Sequence, residues 1–138
     1  MAGVLTPKGF LQIGGIVLVL IAVLGYVGVI GPTPEQSLFG GAWYFDNVEN
    51  LAHFVLGVVA LAAVYLLGAG LHKPLVMIVG IVAILVGVYS LIISDMLLGA
   101  GLENPADTIL HLAVGAWALY ASMKGGGGMA GSGMGGAM

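Results

Sequence analysis

The sequence has no cysteine, no arginine and little charge of either sign, with three lysines and six acids in 138 residues. Without cysteine there is no disulfide, no thiolate metal site and no cysteine nucleophile. Three lysines cannot hold a nucleic-acid backbone, so that class of partner is excluded. A soluble domain carries charge on roughly a quarter of its residues. Here 7% are charged and 60% hydrophobic, with a mean hydropathy of +1.15. Surface that polar residues do not cover must meet something apolar, and the lipid bilayer is the natural partner. Polar material for a water-filled catalytic cleft is scarce. No phosphate-binding loop, nucleophile elbow or metalloprotease motif occurs, so the chain reads as a non-enzyme.

What is present in quantity is long apolar runs. Four of them can cross a hydrocarbon core of about 30 Å at the helical rise of about 1.5 Å per residue. They cover about residues 9–30, 47–68, 74–98 and 105–123. The expected fold is therefore an all-α integral membrane protein, a bundle of four transmembrane helices over residues 9–123. Residues 1–8 precede it, and a flexible Gly/Met-rich tail over 124–138 follows. Lys8 before the first run also fits a cleaved signal peptide, but the run is long and has a partner later in the chain.

Charge sets an orientation. Lys8, Lys73 and Lys124 fall on one side of the four runs, whereas Glu35, Asp46, Glu49, Asp95, Glu103 and Asp107 fall at or near the other. The positive-inside rule then expects a plasma (inner) membrane protein with both termini cytoplasmic.

The chain also repeats itself. Glu49-Asn50-Leu51-Ala52-His53-Phe54-Val55-Leu56-Gly57 opens the second run and Asp107-Thr108-Ile109-Leu110-His111-Leu112-Ala113-Val114-Gly115 opens the fourth. Gly15 and Gly80 each begin a Gly-Ile-Val in the first and third. The pattern is that of two helical hairpins repeated in parallel orientation.

The acid-x-x-x-His-x-x-x-Gly segments hold the candidate chemistry. Asp46 with Glu49, and Asn104 with Asp107, have the spacing of helix N-caps and third-position acids. His53 and His111 lie one turn deeper, where an ionisable group is costly and faces the bundle interior. An acid four residues earlier on the same face can accept the ring N–H and free the other nitrogen. Three readings stay open: histidines that serve packing, with no cofactor; ligation of a metal or a haem-like tetrapyrrole; and a proton or ion relay. The second would use His53 and His111, with Glu49, Asp107 and Asp95 as further metal ligands.

On these residues the chain resembles the bacterial and archaeal membrane family catalogued as domain of unknown function 4383, in which an Asn- or Asp-led turn precedes a His-x-x-x-Gly helix. The matching segments are Asp46 to Gly57 and Asn104 to Gly115, within a likeness over residues 9–123. The resemblance implies four helices and a part for the two histidines, and names no reaction. The expected function is structural or accessory: a subunit of a larger membrane complex, or a homo-oligomer.

Overall fold

The computed structural model describes residues 3–137, and side chains through Lys124. The chain is all-helical, with α1 (Pro7–Tyr26), α2 (Asn47–Leu66), α3 (Ala69–Ile92) and α4 (Ala106–Ala137). Between α3 and α4 lies a minimal antiparallel ladder of β1 (Met96–Leu97) and β2 (Ala100–Gly101). The expected flexible tail lies outside the residues whose side chains are described.

Local chemistry sets the helix starts. Thr6 caps α1, its hydroxyl accepting from the Gly9 amide at 3.0 Å, and Pro7 follows at the first helical position. At α2, Asp46 accepts from the Glu49 amide at 2.9 Å while Glu49 accepts from the Asp46 amide at 3.0 Å. This reciprocal capping box is worth about 1 kcal/mol or more.

The third helix departs from its expected window of 74–98. It begins at Ala69, after an extended Gly68 (φ −66°, ψ 155°), so Pro74 lies inside it. It also ends earlier, at Ile92. The apolar residues beyond are not helical because Leu98 (φ 53°) and Gly99 (φ 90°) turn the backbone left-handed. Two such residues make the tight hairpin turn that pairs Met96 with Gly101 and Leu97 with Ala100. The first helix stops at Tyr26, short of the expected residue 30, where Gly28 takes a positive φ of 88°.

The helices pair as two hairpins, α1 on α2 and α3 on α4, and α1 also touches α3 and α4. Missing side chains permit the close approach. A Cβ on Gly57 would stand 2.8 Å from the Gly15 carbonyl oxygen, and one on Gly80 would stand 2.8 Å from Leu119 Cγ. Small residues at helix crossings are the usual device where lipid supplies no hydrophobic drive between helices.

At the end that holds the start of α1 and the end of α2, an apolar cluster gathers Phe10, Leu11, Ala63, Val64, Val76, Ala118 and Ala121. The Trp117 ring stands edge-on to Phe10 at 4.5 Å, and its N–H donates to the Val4 carbonyl at 2.8 Å. His72 is buried there too, its Nε2 2.9 Å from the Ala63 carbonyl. Elsewhere large apolar side chains face outward, among them Leu20, Val59, Leu85, Ile92 and Ile109. Three helices, α1, α2 and α3, are long and apolar enough to cross a membrane.

Candidate functional site

The opposite end is built from acids, amides and hydroxyls. Asp46 does more than cap α2, since its second oxygen accepts from the Gly101 amide of β2 at 2.7 Å. Asn50, one turn on, is fully buried and donates from Nδ2 to the Phe45 carbonyl at 3.1 Å. Its side chain fills the space that a Cβ on Gly25 of α1 would need. In the other hairpin Ser90 and Thr108, both buried, share a hydrogen bond of 2.7 Å between α3 and α4.

Asn104 was expected to cap α4, but its side chain turns to α3 instead. Nδ2 donates to the Ser90 carbonyl at 2.7 Å and Oδ1 pairs with the Thr108 hydroxyl. The start of α4 is tied down from the other direction, by the Glu103 amide donating to Asp107 Oδ2 at 2.8 Å. Asp107 is almost completely buried, and its Oδ1 accepts the indole N–H of Trp43 at 3.0 Å. Trp43 comes from the α1–α2 loop, so this one carboxylate joins the two hairpins.

Glu49, Glu103 and Asp107 converge. One carboxylate oxygen of each lies within 4.8 Å of the others. Glu49 is 3% exposed, and its Oε1 has no hydrogen-bond partner; neither has Glu103 Oε2. Burial foremost, with the adjoining Asp107 carboxylate adding to it, pushes the Glu103 carboxyl up to about 8. The trio can share protons or hold a cation.

Neither histidine bonds the acid four residues before it through the carboxylate. The His111 ring contacts the main-chain carbonyl of Asp107, with Nδ1 at 2.7 Å, and His53 Nδ1 is buried without a partner. The His53 ring instead stands edge-on to Phe45 at 5.1 Å, within electrostatic reach of His111 and Asp107. A carbonyl one turn earlier lies directly below such a ring, which is why it competes with the longer reach to the acid. Asp95 is not part of the acid trio. It is exposed, and lines an open cleft of about 370 Å³ with Tyr44, Glu103 and Asn104. Of the expected metal set, Glu49 and Asp107 are thus brought together, with Glu103 in place of Asp95 and the imidazoles.

The sequence placed Glu103 at this end but not in the acid trio, and it did not reveal the Trp43–Asp107 bond, the burial of Asn50 or Thr108 as the partner of Ser90. Asn50 and Thr108 stand at the same place in the two repeated segments, and that was the available signal. Comparison with protein-family models, with curated proteins and with solved structures gave no match.

Proposed function

We propose that this chain is a four-span protein of the plasma membrane, with both termini cytoplasmic, acting as a structural or accessory subunit of a larger membrane complex. The carrying observation is the direction in which side chains face. Large apolar groups are exposed along the helices, while Asn50, Ser90, Asp107, Thr108 and Ser122 are buried. A bundle of this kind presents little but hydrocarbon-compatible surface to its neighbours, whether lipid or protein.

The reading includes two repeated hairpins, and equivalent contacts support it. Gly15 meets Leu61 as Gly80 meets Leu119; Gly57 meets Val19 as Gly115 meets Ile84. Gly25 meets Asn50 where Ser90 meets Thr108. Kinship with the family of domain of unknown function 4383 belongs to the same proposal, resting on the paired His-x-x-x-Gly segments.

Gentle extraction from native membranes tests the subunit role. Co-purification with other polypeptides at fixed stoichiometry supports it, and a monomer or homo-oligomer alone overturns it. Because the chain contains no cysteine, single introduced cysteines test the topology. Ser37→Cys and Leu98→Cys are to be labelled by an impermeant reagent from outside, and Lys73→Cys and Lys124→Cys only after the membrane is opened.

One observation favours a second reading, a cofactor held by His53 and His111: His53 Nδ1 is buried and has no hydrogen-bond partner. Metal content and a haem spectrum, measured beside the His53→Gln/His111→Gln variant, decide it. A cofactor lost in the variant supports the reading, and none in the native protein rejects it.

A further inference from the structure

Three carboxyl groups that meet at a buried end need something to offset them. The chain has no arginine, and its three lysines are Lys8, Lys73 and Lys124. Lys8 and Lys73 stand near the starts of α1 and α3, and Lys124 follows Ala121, all at the end that holds the apolar cluster, about 25 Å from Glu49 by the rise of α2 from there to its last residue. No lysine can therefore reach the trio from within the described residues, and the two imidazoles at this end make no hydrogen bond to its carboxylates.

Most of the nearby donors are already placed. Trp43 and the Glu103 amide occupy the two oxygens of Asp107, and the Asp46 amide occupies Glu49 Oε2. Glu49 Oε1 and Glu103 Oε2 remain, both buried and without partners. Glu49 is itself 3% exposed and turned toward the other two acids. A buried anionic oxygen without a donor is costly, unless a cation or proton meets it.

We propose that Glu49, Glu103 and Asp107 bind one hard divalent cation of the calcium class at the end of the bundle that carries the acids. Oxygens on one such ion stand about 2.3–2.6 Å from it, so two of them lie at most about 5 Å apart. The 4.8 Å limit on the trio meets that condition. An all-oxygen donor set selects calcium, magnesium or manganese over the softer metals. Calcium tolerates irregular, partly hydrated geometry, which suits ligands drawn from two helices and a loop. The ion would clamp α2 to the start of α4 and so join the two hairpins. The site does not use the imidazoles and stands apart from the histidine reading.

The test uses the full chain in detergent, stripped with a chelator and titrated with Ca²⁺ by calorimetry. Terbium, a calcium surrogate that emits when a nearby indole is excited, is titrated in parallel because Trp43 touches Asp107. The expected result is one Ca²⁺ per chain, and terbium emission that Ca²⁺ displaces. Trp117→Phe, at the other end, is to keep the emission, and Glu35→Gln, an exposed loop acid, is to keep the affinity. Glu103→Gln is to weaken binding about tenfold or more, since charge count tunes such sites. Its side chain meets only the neighbouring Asp107 carboxylate and accepts from no backbone or indole N–H, so it is the variant least exposed to misfolding, and helical circular dichroism checks that it folds. A folded native chain that takes up no Ca²⁺ overturns the proposal, and so does native-like affinity in Glu103→Gln. Loss of binding in the double histidine variant with Glu103→Gln unaffected also overturns it, in favour of the imidazoles.

Discussion

The two ends of the bundle do the same work with opposite materials. At one end Phe10, Trp117, Val76 and a set of alanines join α1, α2, α3 and α4 chiefly by apolar contact. At the other, Asp46 and Asp107 accept from a backbone and an indole N–H, and Asn104 donates to a backbone carbonyl, to join them. Each end places a tryptophan across the seam, Trp117 donating to a carbonyl and Trp43 to a carboxylate. Packing of the first kind depends on volume. Bonding of the second kind depends on charge, and so answers to pH and ions.

The sharpest way to break the comparison is to damage each end in turn and follow thermal loss of helical circular dichroism in detergent. Phe10→Ala is expected to be the most costly change, about 3 kcal/mol, because it empties the centre of the apolar end. That lies low in the usual range because surrounding lipid or detergent reduces the transfer term. A loss under about 1 kcal/mol would show that this end collapses around the gap. Asp46→Ala should cost about 2 kcal/mol, the sum of a lost cap and a lost bond to Gly101. Asp46→Asn keeps one acceptor, for the cap, and loses the other, so it should cost about half as much; equal damage would show that the bond to Gly101 carries most of the joint. Ser90→Ala removes a bond inside one hairpin and should cost only about 0.6 kcal/mol, the mean for such bonds within membranes.

Acidity sharpens the contrast further. The Glu103 carboxyl is raised from 4.5 to about 8, so the folded chain holds its proton more tightly than the unfolded one. Its contribution is complete below pH 4.5 and is lost as the pH climbs toward about 8. With chelator present, the unfolding midpoint should fall across that window, and the fall should shrink in Glu103→Gln. A midpoint that rises with pH there would contradict the environment described for Glu103.

Apolar run length made the helices legible in the sequence, and it misled where a run outlasted its helix. Leu97, Leu98 and Ala100 are as apolar as the helix before them, and only Gly99 and Gly101 mark the hairpin. At the polar end, acids counted along the chain revealed which side they occupy. Their partners stayed hidden, because Trp43 meets Asp107, and Glu49 meets Glu103, across segments whose relative rotation is set by packing. The expected bond from each histidine to its acid followed from spacing alone, and spacing does not register the carbonyl that lies nearer.

The placing of the two tryptophans has a practical consequence. The chain has two indoles, one seated in each seam, so the molecule carries a separate optical reporter for each end. With Trp43→Phe or Trp117→Phe as background, the fluorescence of the remaining ring follows its own end through unfolding, ligand addition or a change of lipid. The order in which the ends come apart can then be read without an added label.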